Sequence, residues 1–297
     1  MSEAGPDELD IESSRAPLLD HLVELRSRLI ICVVTIAIAF GVCFAMAKKL
    51  YFFLLHPYEV AAGLMAIQKA GGAHHSPFDL LAVLVGLRAA PVMPDGALKL
   101  IFTAPLEFFF TQIKLAGFGA IVLGFPVLAW QLYRFVAPGL YRKERHAFLP
   151  FLISAPVLFT VGAALVYYIM LPFLLWFSLS QQITGMGAIS VELLPKVSDY
   201  LTLVTTLMMA FGLCFQLPVV LALCGLAGLV NSQMLRSGRR YAIVGVFVVA
   251  AVLTPPDPIS QITLAVPICL LYEVSIICVW LIERRRKKNE AAADLQV

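Results

Sequence analysis

The length of its uncharged stretches constrains this chain more than any other feature. Residues 29–47, 115–133 and 147–191 contain no Asp, Glu, Lys or Arg. A helix needs about 20 mainly apolar residues to cross roughly 30 Å of hydrocarbon. In lipid, only helices or closed barrels satisfy every backbone polar group. The composition points the same way: 60% of the residues are hydrophobic and 14% charged, against about 25% charged in a soluble domain. The expected fold class is therefore all-α, a polytopic membrane protein.

Six spans are expected, at about 29–47, 108–133, 148–177, 200–230, 241–254 and 259–282. Pro156, Pro172 and Pro218 fall inside them, which neighbouring helices in a membrane can accommodate. The fourth stretch is too long for one perpendicular crossing and should tilt or protrude. Residues 241–254 would form a helix only about 21 Å long. Pro255-Pro256-Asp257-Pro258 then forces a break, so the last two segments read as a helical hairpin with a short first arm. Residues 1–16 are acidic and polar, with no apolar core or cleavage site, and read as a disordered tail with no removable signal peptide. The membrane domain is expected over 17–283, with a long exterior loop at 48–107. Within that loop, 78–87 suits a surface or re-entrant helix. A basic, then polar, tail follows at 284–297.

Lysine and arginine placement gives the orientation. With the N-terminus inside, fifteen basic residues lie on the cytoplasmic side and six on the other. Both termini are then cytoplasmic. Cys32, Cys43, Cys214, Cys224, Cys269 and Cys278 all lie in apolar runs, without metal-ligand spacing, and read as small packing residues. His74-His75 reads as a solvated loop pair. No zinc-protease helix, nucleophile elbow or phosphate-binding loop is present. No cofactor, metal, nucleic acid or enzymatic role is expected.

Polar side chains in or beside the spans are the candidate functional residues, because each is expensive in hydrocarbon. Leu18, Leu22, Leu25 and Leu29 recur at helical spacing, an amphipathic lead-in with Asp20 suited to its N-cap. Glu24 and Arg28 stand four apart, the spacing of a helix-surface ion pair. The other reading of Glu24 is a carboxylate presented to a cationic ligand. Glu144, among Arg142, Lys143 and Arg145, is either neutralised locally or available to pair with a guanidinium in bidentate geometry. Gln216 lies mid-span, where an amide must find a partner on another helix. Asp257 and Gln261 flank the hairpin turn. Asp257 would sit below the outer interface in a water-filled hollow, and Glu273 in the return arm reads as structural.

Three dispersed blocks carry a family resemblance. His21-Leu22-Val23-Glu24-Leu25-Arg26-Ser27-Arg28, Ala137-Pro138-Gly139-Leu140-Tyr141 with Glu144-Arg145, and Leu253-Thr254-Pro255-Pro256-Asp257 with Ser260-Gln261 resemble the signature blocks of the TatC family. TatC is the multispanning subunit of the twin-arginine protein translocase. The blocks fall in the family's order, and the resemblance covers about residues 17–283. It implies a glove-shaped six-helix fold with a concave face in the bacterial inner membrane. It also implies a cytoplasmic receptor for twin-arginine signal peptides of folded cargo, at Glu24 and Glu144 with Arg26, Phe135, Leu140 and Tyr141 around them. Gln216 becomes a partner-helix contact, and Pro256, Asp257 and Gln261 mark the hairpin on the concave face. The implied partners are the single-span TatA and TatB proteins, other copies of the chain and membrane lipid, with the proton-motive force driving transport. Many relatives carry Glu where this chain has Gln216, and the exterior loop is longer than usual around 70–98. The competing reading is a secondary transporter using Asp257, Gln216 and Glu273, which requires those groups to converge on broken helices near the midplane.

Overall fold

The computed structural model describes residues 6–69, 77–89, 100–101, 103–136, 149–186, 189–191, 195–253 and 258–294. Helix α1 (Pro6–Ala45) breaks for one residue before α2 (Ala47–Lys69), then come α3 (Pro77–Leu84) and α4 (Glu107–Val136). Helix α5 (Leu149–Leu165) passes through a π-helical turn, Val166–Met170, into α6 (Leu171–Ser180). A short antiparallel hairpin, β1 (Ile183–Met186) with β2 (Ile189–Val191), leads to α7 (Val197–Cys214) and α8 (Leu217–Leu226). The order ends with α9 (Ser232–Leu253) and α10 (Pro258–Asp294). The protein is nearly all-helical, with six helices long and apolar enough to cross a membrane.

Those six are not quite the expected set. Ala47–Gln68 in α2 qualifies by length and composition, whereas α9 does not. Arg236, Arg239 and Arg240 occupy the first half of α9 and leave only a short apolar arm. Packing separates the two cases. Helices α1 and α4 run antiparallel: Arg28 reaches the Gln131 carbonyl at one end, Gly124 faces Thr35 in the middle, and Gly119 sits against Cys43 at the other. Along α2, Tyr51 meets Phe108 at the start of α4, Phe53 stacks on Tyr167, and Tyr58 packs on Tyr200 near the start of α7. Phe78 of α3 meets Phe173 of α6. Every one of these partners lies toward the end of the bundle remote from Arg28. Helices α2 and α3 therefore form a cap across that end.

Local chemistry explains the breaks. Pro218 has no N–H for the Cys214 carbonyl, so the long stretch expected over 200–230 is two helices, with Phe215 and Gln216 at the junction. The π turn precedes Pro172, whose missing N–H already weakens the ladder there. Helix α1 begins at Pro6, so Asp20 lies within it rather than at its N-cap. At the capped end, buried Glu107 holds α4 to α7. It accepts from the Thr103 and Ala104 amides and from the hydroxyls of Thr103 and Ser198, with Lys196 Nζ 3.6 Å away.

The main core joins α2, α3, α5 to α7 and the first half of α10 around fully buried Val166, Leu171, Val204, Leu207, Phe211 and Leu264. Helices α5 and α7 cross closely where Gly162 and Gly212 face each other's helix. A Cβ on Gly162 would lie 2.8 Å from the Phe211 carbonyl oxygen, and one on Gly212 2.5 Å from the Phe159 ring. Two smaller clusters, around Tyr133, Ala155 and Val219 and around Leu235, Ile276 and Val279, seat α8 between the bundle and the α9–α10 hairpin.

Candidate functional site

The end of the bundle that carries Arg28 and Arg134 holds an open groove of about 490 Å³ between α1, α4, α5 and the α7–α8 junction. Leu25, Leu29, Leu128, Leu132, Phe125 and Val220 give it an apolar lining, and Arg28, Gln131, Tyr133 and Gln216 bring polar groups to it. The groove exists because α7 breaks at Gln216 and α8 sets off separately, leaving space beside the α1–α4 pair.

Glu24 lies one helical turn before Arg28 on α1 and pairs with it. Arg28 donates to its Oε1 through Nε at 3.1 Å and through a second, short bond from Nη2, and it also reaches the Gln131 carbonyl at 3.4 Å. The helix-surface pair anticipated from the spacing is therefore present, and its arginine ties α1 to α4. Arg26 is exposed, and Phe135 is half-buried in the groove wall. Glu144, Leu140 and Tyr141 lie outside the described residues, as do Pro256 and Asp257.

Gln216 lines the same groove and donates from Nε2 to the Ala155 carbonyl at 2.9 Å. The structure thus brings it together with Arg28 and Phe135, which sequence spacing had not suggested. Leu25 and Leu132 also belong to this site. Their signal was weak, because an apolar residue on a membrane helix reads the same whether it faces lipid or a cleft.

Gln261 belongs elsewhere. It donates to the Phe247 carbonyl at 3.2 Å, one link in the antiparallel α9–α10 pairing. Tyr272 to the Leu235 carbonyl (2.9 Å), Arg239 to Glu273 (2.6 Å) and Ser232 to Glu283 complete that pairing. Glu273 is thus structural, neutralised by Arg239, and does not meet Gln216. The convergence that a small-solute path requires is not found among the described residues. Nor do those residues contain a cluster of His, Cys, Asp or Glu able to hold a metal ion.

Residues 20–267 match the family model described as Sec-independent protein translocase protein (TatC). The chain belongs to the TatC family. Among the TatC proteins it resembles, that of Magnetococcus marinus is 41% identical over 97% of this chain and 92% of the relative. That of Rickettsia prowazekii is 36% identical over 91% of this chain and 95% of the relative. A crystal structure of the twin-arginine translocase receptor TatC superposes with a TM-score of 0.65 at 32% identity, covering 88% of this chain and 98% of that one. A second, in the detergent DDM, gives 0.67 over 86% and 98%. This TatC chain is accordingly a multi-pass component of the Sec-independent twin-arginine translocase in the bacterial inner membrane.

Proposed function

We propose that the groove at the basic end receives the twin-arginine signal peptide, with the rim facing the cytoplasm and both termini on that side. The observation that carries this reading is an apolar groove of ligand size opening beside a carboxylate. An export signal joins a cationic segment to an apolar one. Glu24, shared with Arg28, supplies the acceptor for a guanidinium, and Leu25, Leu132 and Phe135 receive the apolar segment. Glu144, Leu140 and Tyr141, in the sequence between α4 and α5, complete the rim in this proposal. The fifteen-to-six excess of basic residues supports the orientation.

In the same reading, the capped end faces the periplasm, and the short α9 with α10 is the hairpin of the concave face, its turn marked by Pro256, Asp257 and Gln261. Gln216, which lines the groove, is a contact for a partner helix in this proposal. TatA and TatB are the single-span partners, working with further copies of this chain, and the proton-motive force supplies the energy. Nothing in this role asks for bond-breaking chemistry.

The test is photo-crosslinking of a twin-arginine signal peptide to a probe at Leu132 in full-length protein in membranes. Glu24→Ala and Glu144→Ala should each lower the yield by about ten-fold or more, the worth of a charge-assisted hydrogen bond of roughly 1.5–3 kcal/mol. The amount of inserted protein should not change. Wild-type yield in both variants would overturn the assignment.

A further inference from the structure

A second pocket lies where α9 begins and the later part of α10 runs beside it. It has about 840 Å³ between the α8–α9 turn and the C-terminal half of α10, and polar groups dominate its lining. We propose that it binds the phosphate of an anionic membrane phospholipid, a role unconnected with the peptide groove.

Charge is the first argument. Arg236, Arg284 and Arg286 line the pocket against a single carboxylate, Glu283. That carboxylate is already committed: Oε1 accepts the Ser232 amide at 2.8 Å and Oε2 the Ser232 hydroxyl at 2.5 Å, which caps α9. Among the described residues, Arg236 and Arg284 have no carboxylate within ion-pair distance. Ten residues before Glu283 on α10 the same hairpin handles charge differently, since Arg239 meets Glu273 there. The Arg236 and Arg284 guanidiniums, gathered in one pocket, repel one another, and a shared anion removes that cost.

Depth is the second argument, and it selects a lipid over a soluble ion. Trp280 forms part of the wall, with the Arg284 guanidinium 5.4 Å above its ring. Tryptophan beside arginine at the end of an apolar helix marks the headgroup level of a bilayer. Basic pockets between membrane helices at that level suit phosphate headgroups. Exposed Ile277 and Leu281 on α10 flank the tryptophan and offer an apolar path for an acyl chain. The pocket is large enough for a glycerol phosphodiester, and a lipid bearing two phosphates would engage more of the guanidiniums.

The test is native mass spectrometry of the full chain in mild detergent, titrated with cardiolipin, phosphatidylglycerol, phosphatidylcholine and, separately, inorganic phosphate. Wild-type protein should hold one anionic lipid about ten-fold or more tighter than phosphatidylcholine, as expected for two or three charge-assisted bonds. The double variant Arg236→Gln/Arg284→Gln should lose that preference. Arg240→Gln/Arg285→Gln, which removes equal charge from the same helices outside the pocket, should keep it. Equal loss in both double variants would mean diffuse attraction and overturn the site. Equal binding of charged and neutral lipid by wild-type protein, which requires no variant to fold, would overturn it as well. Displacement of the lipid by millimolar inorganic phosphate would overturn the lipid in favour of a soluble anion.

Discussion

Two buried tyrosines show how single atoms decide stability in this bundle. Tyr167 donates to the Phe53 carbonyl at 2.8 Å, and Tyr200 to the Leu54 carbonyl at 3.0 Å. The two bonds look equivalent, but the acceptors differ. Pro57 stands four residues after Phe53 and has no N–H, so the Phe53 carbonyl lacks its helical donor. The Leu54 carbonyl still receives the amide of Tyr58 within the helix. Tyr167→Phe should therefore leave a partly buried carbonyl without any donor, at a cost of about 1–3 kcal/mol. Tyr200→Phe removes only a supplementary bond and should cost about 0.5–1.5 kcal/mol. Thermal unfolding in one detergent checks the order, and a larger loss from Tyr200→Phe would contradict the account. Residue-level chemistry of this kind was partly legible in the sequence. The Glu24–Arg28 pair followed from spacing alone, and so did the need of Gln216 for a partner. That the partner is the Ala155 carbonyl, and that both residues border one groove, required the fold. Lipid offers no polar side against which a helix must alternate, so apolar pattern does not name packing partners.

At the scale of elements, the crossing of α5 and α7 is set by glycines rather than by side-chain fit. Gly162 faces the Phe211 backbone, and Gly212 faces the Phe159 ring, itself stacked on Phe125 at 4.0 Å. Small residues allow membrane helices to approach closely where no hydrophobic force drives them together. An added methyl at either position has no room: the carbonyl cannot move without shifting α7, and the phenyl ring is fully buried and stacked on Phe125. Gly162→Ala and Gly212→Ala should each destabilise by about 1–3 kcal/mol, the range for overpacked cores. Gly41→Ala, with nothing within 4 Å of the new atom, should be neutral or gain up to about 1 kcal/mol from helix propensity. Thermal unfolding of the three variants separates the mechanisms, and equal effects at all three sites would leave the close crossing unsupported. The sequence foretold the α9–α10 hairpin from its proline cluster and the length of its arm. It concealed the division of α7 from α8, because Pro218 inside an apolar run is equally compatible with a kinked single helix. The consequence of that proline, a cleft beside the α1–α4 pair, depends on neighbours far away in the chain.

For the whole molecule, hydropathy and packing disagree about α2. Its composition is that of a span, yet its partners Phe108, Tyr167 and Tyr200 all lie toward one end of the bundle. If α2 crossed the membrane, its far end near Ile67 would emerge beside Ser27 and Arg28. If it caps the bundle, Ile67 stays on the side of Gln181. Packing should win, because Lys48, Lys49 and Glu59 are more easily accommodated along an interface than across hydrocarbon. Substituted cysteines decide the matter in a background with the six native cysteines removed; none of them forms a disulfide. Ile67→Cys and Gln181→Cys should react with a membrane-impermeant maleimide in intact cells. Ser27→Cys and Gln233→Cys should react only after the membrane is opened. Labelling of Ile67→Cys together with Ser27→Cys would make α2 a span. Labelling of Ser27→Cys and Gln233→Cys from outside would reverse the proposed orientation and remove the peptide groove from the cytoplasm. The four positions thus test the cap and the receptor face independently, since the first depends on Ile67 against Gln181 and the second on which of the two sets is external.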